Sequence, residues 1–214
     1  MAELVTYSSI TNYLSGISTT YLTARSTCTA QSAASFYLGQ QKVGSDYYCL
    51  RLALKFDTSS IGINSTVTGV TMQLGLQADL TATNDFNIQI VKYDWSASDP
   101  VSDINKDTVF DGILVGTLDD NILRNTSGIS IDTYYTTAAL NPAWLHKTGA
   151  TYYGLRSDRD NAGITPTGTE LVQMYGYGGT YQPVLTVTYI PGIATYRTHR
   201  GVNLKGRHGR RLVF

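Results

Sequence analysis

The segment "YYCLRLALKF", residues 47–56, decides the fold class. Apolar side chains occupy every second position, which is the period of a β-strand because successive side chains point to opposite faces. The pattern therefore predicts a strand with one buried face. That face holds Tyr48, Leu50, Leu52, Leu54 and Phe56, and the other holds Tyr47, Cys49, Arg51, Ala53 and Lys55.

The same alternation returns along the chain, first in "VTMQLGLQ" (70–77) and "FNIQI" (86–90). Further short apolar segments bounded by polar turns predict strands at 113–118, 129–131, 151–156, 170–175 and 184–189, with two more in "TTYLTAR" (19–25) and "SFYLG" (35–39). This number of strands suits an all-β, antiparallel sandwich of two sheets. The predicted core is Leu50, Leu52, Leu54, Phe56, Val70, Met72, Leu74, Phe86, Ile88, Leu185 and Val187.

One short helix is predicted in "TTAALNPAWLHKTG" (136–149), with Pro142 in its first turn and Gly149 at its end. Pro191 and Gly192 end the last strand and mark a boundary. We therefore expect three parts: an N-terminal arm (1–18), a β-sandwich (19–190) and a C-terminal arm (191–214).

Composition supports this interpretation, since 16 Tyr and 20 Gly with few Ala, Glu or Lys favour strands and turns over long helices. No segment reaches the roughly 20 apolar residues that span a bilayer, and the start of the chain lacks the basic and apolar regions of a signal peptide. Cys28 and Cys49 are too few for a disulfide framework, so we expect free thiols, although pairing between neighbouring strands stays open.

The charge of the chain is zero only by cancellation. All 16 Asp and Glu lie within residues 1–194, which contain ten of the 16 Lys and Arg and so carry a net −6. The last 20 residues carry the remaining six cations and no carboxylate, a net +6. A basic end on an acidic body is typical of a segment that contacts another molecule, and a solvated, unstructured end is the alternative.

Several segments in order resemble the DNRLRE-type β-sandwich family, a jelly-roll related to carbohydrate-binding modules. They are "LRLALKFDTSSI", "STVTGVTMQL", "YDW", "NPAWLHKTGATYYGLRSDRD", "TPTG" and "YQPVLTVTY", and they cover roughly residues 19–190. The resemblance implies a jelly-roll fold of the kind found beside secreted polysaccharide-active enzymes and in phage and microbial surface proteins. It also implies that Trp95 is a core residue at a strand end.

No catalytic residues are expected. His146 is the one histidine outside the basic end, and the chain has no Gly-x-Ser-x-Gly motif. Cys28, Cys49 and His146 lack the spacing of zinc ligands. Fourteen of the 16 acids are Asp, which loops and turns favour, so we expect solvated turn residues. We predict no metal and no cofactor.

The segment "DINKD" (103–107) has part of the oxygen spacing of a calcium loop, but Thr108 and Leu114 replace the required Gly and Glu. It is therefore not an EF-hand. A looser calcium site in a loop stays open.

These observations lead to two functional hypotheses. The first is a non-enzymatic bacteriophage virion protein, a capsid decoration or head–tail accessory subunit made in the host cytoplasm, for which a start at Met1 without a signal peptide is expected. It would bind other virion proteins, as an oligomer, through its terminal arms, with nucleic acid as the competing partner. The predicted arm contacts are Arg197, Arg200, Lys205, Arg207, Arg210, Arg211, Leu212 and Phe214.

The second hypothesis is a carbohydrate-binding module. Flat aromatic rings stack on sugars as they do on other apolar surfaces, and glycines in "MYGYGGTY" (174–181) would leave ring faces uncovered. A protein contact would use the same rings, since Tyr is favoured in both settings. The candidate glycan-binding residues are Trp95, Tyr175, Tyr177 and Tyr181.

Overall fold

A computed structural model describes residues 1–32 and 36–192. The described chain is an all-β, antiparallel sandwich. Its strands are β1 (Ala2–Ser18), β2 (Ala30–Ser32), β3 (Tyr37–Val43), β4 (Asp46–Asp57), β5 (Thr66–Asp79), β6 (Asn87–Lys92), β7 (Thr117–Asn125), β8 (Thr133–Thr136), β9 (Ala150–Ser157), β10 (Thr169–Met174) and β11 (Val184–Ile190). Its helices are α1 (Tyr21–Ser26), α2 (Lys106–Val115) and α3 (Asp158–Ala162).

The strands form one hydrogen-bonded sheet that folds over on itself. The order is β2-β1-β11-β5-β10-β3-β4-β9-β6-β7, and β8 pairs with β5 outside this path. Strand β1 pairs with β11 through residues 2–7 and with β4 through residues 8–18, which closes the sheet around the core. Two layers result, with β5 and β11 facing β4, β6 and β9. The all-β sandwich predicted from the strand pattern is confirmed, and its architecture is jelly-roll-like, as the family resemblance implies.

The main core fills the space between the layers. All eleven residues predicted for the core are buried. Most of them belong to one apolar cluster, to which β9 and β10 also contribute, with Leu155 and Val172 among the fully enclosed side chains. The alternating pattern therefore identified the inward faces of the long strands correctly.

The prediction that β4 buries only one face is wrong. Helices α1 and α2 cover its second face and form a second apolar cluster there, which includes Cys49 and Ala53. Arg51 lies on this face and is fully buried. Cys28 and Cys49 are free thiols, as predicted, and both are buried.

Four local assignments also need correction. Segment 19–25 predicts a strand but contains the start of α1, and 113–118 is divided between α2 and β7 because Val109, Phe110 and Ile113 share one helical face. Residues 129–131 lie in a loop before β8. The helix expected over 136–149 is only a 3-10 turn at Pro142–Trp144, in which the Asn141 side chain accepts a hydrogen bond from the Ala143 amide.

Of the two expected arms, the structure describes the N-terminal one. Residues 1–18, expected to precede the sandwich, form β1 and are an integral part of the sheet. Apolar and polar residues alternate weakly there, so the pairing with β4 and β11 was not evident from the sequence. The basic residues Arg197, Arg200, Lys205, Arg207, Arg210 and Arg211, together with Leu212 and Phe214, lie outside the described residues.

Leu52→Ala is expected to lower the free energy of unfolding by about 2–5 kcal/mol, because it leaves a cavity between tightly packed layers. Leu52 is almost fully buried and belongs to the main core. Urea unfolding followed by circular dichroism measures the change. Leu22→Ala is the control, since Leu22 is an exposed leucine of α1 and its loss should change stability little. Equal effects of the two substitutions would contradict this assignment of the core.

Candidate binding surface

The rings of Tyr134, Tyr175 and Tyr181 meet at the surface beside β5, and Tyr177 follows in the loop after β10; we call these four residues the tyrosine cluster. The rings of Tyr134 and Tyr181 meet edge to face with centroids 5.3 Å apart, and those of Tyr175 and Tyr181 lie 5.4 Å apart at a tilt of 57°. Tyr177 follows in the same loop and is 65% exposed. Three rings are thus held against one another while the fourth faces solvent.

The backbone of β5 supports the cluster. The Tyr175 amide donates a hydrogen bond to the Gly75 carbonyl at 3.0 Å. A Cβ atom at Gly75 would lie 2.2 Å from the Cβ of Tyr181, so only glycine allows Tyr181 to rest on this strand. The Tyr134 hydroxyl donates to the Gln182 carbonyl at 3.2 Å. These contacts fix the ring positions without a ligand.

Asp132 adds a carboxylate beside the rings. The Tyr175 hydroxyl donates a hydrogen bond to Asp132 Oδ1 at 2.5 Å, and this bond raises the pKa of Tyr175. Asp132 has a φ of 53°, an uncommon conformation for a residue other than glycine. The Asp132 amide donates to the Leu76 carbonyl at 2.8 Å, which ties this strained residue to β5. Strained residues of this kind gather at ligand-binding sites.

The outer face of the sheet continues from the cluster. The strand registers place Tyr7 of β1 opposite Val184, Val184 opposite Gln73, and Gln73 opposite Thr136. The Gln73 amide donates to the Thr136 hydroxyl at 3.2 Å, so both side chains lie on this face. The next row consists of Val5, Thr186 and Thr71. Uncharged hydroxyl, amide and apolar groups make up these two rows.

Trp95 does not belong to this surface. It is only 1% exposed, its ring meets Tyr152 edge to face at 4.7 Å, and its indole nitrogen donates to the Tyr153 carbonyl at 3.3 Å. As a glycan-binding candidate Trp95 is therefore wrong, because no face of the ring is free. Its burial agrees with the core position that the family resemblance implies.

A fully buried ion pair lies under α1 and α2. Arg51 donates to Asp160 at 2.7 Å from Nε and 3.0 Å from Nη2, and it also donates to the carbonyls of Phe110 and Arg25. Its guanidinium lies 3.7 Å from the centroid of the Phe110 ring. The Ser157 hydroxyl accepts from the Asp160 amide and begins α3. The expectation that the aspartates are solvated turn residues is therefore wrong for Asp160.

Glu170 is, with Asp160, a fully buried carboxylate. Arg159 donates to both of its oxygens, at 2.8 and 3.1 Å, while Gln40 and Asn84 each donate to one of them. The Tyr21 hydroxyl in turn donates to Gln40 at 2.8 Å. With their oxygens bound by arginine and amide donors, Asp160 and Glu170 link the helices to the sheet and hold no position for a substrate.

The other candidate chemical groups are dispersed. His146 lies at the surface with its Nε2 3.8 Å from Asp94 Oδ2, which is longer than a hydrogen bond. Asp103 pairs with Lys106, and Asp107 accepts from the Cys28 amide, so these oxygens of "DINKD" are engaged within the protein. Within residues 1–32 and 36–192, no three His, Cys, Asp or Glu residues gather in a way that would hold a metal ion.

No helix in the described part of the chain has the length and apolar character needed to cross a membrane.

The sequence predicts three of the four members of the tyrosine cluster. Tyr175, Tyr177 and Tyr181 were predicted together from the glycines around them. Tyr134, Asp132 and Tyr7 were missed, because each lies in a separate strand or loop and only the strand register brings them near the glycine-rich loop. The doubled tyrosine in "TYYT" (133–136) was the one available signal, since one of two adjacent strand residues must face outward.

Comparison of the chain with protein-family models gives no match, and comparison with curated proteins gives none either.

Proposed function

We propose that this protein is a non-enzymatic structural component of a bacteriophage virion, a capsid decoration or head–tail accessory subunit that docks through its basic C-terminal segment. The charge separation carries the proposal. Residues 1–194 have a net charge of −6 from 16 acids and ten cations, and the last 20 residues carry six cations and no acid. Such a segment would bind an acidic surface of a neighbouring subunit, and its apolar end, Leu212 to Phe214, would anchor it.

The arrangement of the buried charges supports a non-enzymatic role. Asp160 and Glu170 are the two most enclosed carboxylates, and arginine and amide donors bind them. A general acid or base must reach a substrate proton with an available oxygen. These two carboxylates instead stabilise the attachment of α1 and α3 to the sheet.

The proposal concerns the C-terminal segment alone, because residues 1–18 form β1. Strand β1 pairs with β4 and β11 along its length and is therefore committed to the fold of its own subunit.

Truncation after Ile193 tests the proposal. We expect the truncated protein to keep the thermal unfolding transition of the full chain, since β11 ends at Ile190, but to be lost from particles. Mass spectrometry of purified virions measures incorporation. Incorporation of the truncated chain at the level of the full chain would contradict the proposal.

Two full-length variants separate the contributions within the segment. One replaces Leu212, Val213 and Phe214 by Ser and keeps all six cations, and the other replaces the six cations by Gln and keeps the apolar end. We expect both to weaken incorporation if a protein surface is the partner. If the partner is nucleic acid, only the cation variant fails, and binding of the full chain to duplex DNA in a gel-shift assay falls steeply with salt.

A carbohydrate-binding module is the second candidate function, and the tyrosine cluster is the observation that favours it. Aromatic rings fixed at a surface beside hydroxyl and amide groups suit the alternating apolar and polar faces of a sugar.

A further inference from the structure

We infer that the tyrosine cluster and the adjoining outer face of β1, β11, β5 and β8 bind a neutral polysaccharide. The inference rests on the second candidate function and specifies its ligand class. It also adds Tyr134, Asp132 and Tyr7 to the residues that would contact the ligand.

Three of the four rings of the tyrosine cluster are held in place before any ligand arrives. Tyr134 and Tyr175 both contact Tyr181, and their hydroxyls are bound by the Gln182 carbonyl and the Asp132 carboxylate. A ligand therefore does not need to order these side chains, and immobilising such side chains is a main cost of binding. Tyr177 and Tyr7, which are 65% and 53% exposed, offer the ring area that a sugar would cover.

The charges on this surface select the ligand class. The two rows of the outer face, from Tyr7 to Thr136 and from Val5 to Thr71, contain no ionisable acid or base other than tyrosine. Asp132 at one margin and Glu3 of β1 at another are both acidic. An acidic polysaccharide would meet carboxylates without a compensating cation in these rows, whereas a neutral one would not be repelled.

The polar groups beside the rings suit hydroxyl partners. Gln73, Thr136, Thr71 and Thr186 each supply a donor and an acceptor on the outer face. The exposed carboxylate of Asp132 accepts from Tyr175 through Oδ1, and its second oxygen adds an acceptor for a sugar hydroxyl. Rings and hydroxyl-binding groups thus lie on the same face of the sheet, on which Val184, between Tyr7 and Gln73, is covered.

Affinity gel electrophoresis of the full chain tests the inference. The gels contain either a neutral polymer (laminarin, xylan or mannan) or an acidic one (alginate or polygalacturonate). We expect at least one neutral polymer to retard the protein and the acidic polymers to leave its mobility unchanged. Tyr177→Ala should weaken the retardation about tenfold, whereas Tyr177→Phe should retain it, because stacking requires the ring and not the hydroxyl.

Ile104→Ala is the matched control, since Ile104 is 97% exposed and belongs to another part of the surface. A second measurement uses the unaltered protein. Tetranitromethane nitrates accessible tyrosines, and a peptide map shows which tyrosines have reacted. We expect the polymer that retards the protein to protect Tyr177 from nitration. Unaltered nitration of Tyr177 in the presence of that polymer would overturn the inference.

The gel experiment distinguishes binding of a neutral polysaccharide from carbohydrate binding in general. Retardation only by an acidic polymer, lost in Tyr177→Ala, would overturn the neutral ligand class but keep carbohydrate binding. No retardation by any of the five polymers would overturn both. Neither result affects the truncation experiment on the C-terminal segment, which tests the structural role.

Discussion

Arg51→Ala is expected to lower the free energy of unfolding by about 3–5 kcal/mol, because it leaves the carboxylate of Asp160 buried without its main partner. Arg51 and Asp160 are both fully enclosed, and their bidentate pair is 2.7 Å long at its shorter contact. The substitution also removes the hydrogen bonds that Arg51 donates to the carbonyls of Phe110 and Arg25. The expected loss is a large part of the stability of a domain of this size. Urea unfolding followed by circular dichroism measures it.

A double variant distinguishes the effect of leaving Asp160 unpaired from the effect of removing the volume of the Arg51 side chain. Arg51→Met together with Asp160→Leu removes both charges and keeps apolar bulk, so it should be less destabilising than Arg51→Ala alone. Lys106→Ala is the control for loss of a surface ion pair, since its partner Asp103 is exposed, and it should change stability by less than about 1 kcal/mol. An Arg51→Ala protein as stable as the Lys106→Ala protein would show that the buried pair does not stabilise the fold.

The free energy of unfolding is expected to fall as the pH rises above about 9. Burial raises the pKa of the Cys28 thiol from 9.0 to about 11, and it also raises the pKa of Cys49 and of Tyr153. The unfolded chain releases these protons at ordinary pKa values, whereas the folded chain retains them to higher pH. The contribution of each group to the free energy of unfolding is therefore complete below its pKa in the unfolded chain and is lost as the pH rises through its pKa in the folded chain. Since one pKa unit corresponds to about 1.4 kcal/mol, Cys28 contributes a loss on the order of 3 kcal/mol.

Urea unfolding at a series of alkaline pH values measures this dependence. Cys28→Ala should reduce the slope between the two pKa values of Cys28, because it removes one titrating group from the unfolded chain. A control substitution, Ser26→Ala at an exposed site of α1, should leave the slope unchanged. A free energy of unfolding that stays constant throughout this range would contradict the burial of these thiols and phenols as the cause.

The alternation of apolar and polar residues predicts the strands in which an apolar side chain recurs at every second position. In β4, β5 and β11 apolar residues recur at every second position, and those predicted to face inward are buried as expected: Leu50, Leu52, Leu54, Val70, Met72, Leu74, Leu185 and Val187. The pattern failed for β1, where the polar residues Ser8, Thr11 and Ser15 are buried between β4 and its neighbours. A strand whose buried residues are mostly small and polar gives a weak hydropathy signal, although its backbone pairs with both β4 and β11.

The sequence alone determined the class of the fold, the inward residues of the long strands, and the division of charge between an acidic body and a basic end. It determined these because side-chain period and net charge depend on residues that are close in the chain. The tertiary structure alone decided that Arg51 and Asp160 pair across 109 positions, that Trp95 is enclosed, and that Tyr134 joins the glycine-rich loop. These features depend on contacts between segments that are distant in the chain. Strand register and the closure of the sheet determine those contacts, and the local sequence pattern of a single strand does not.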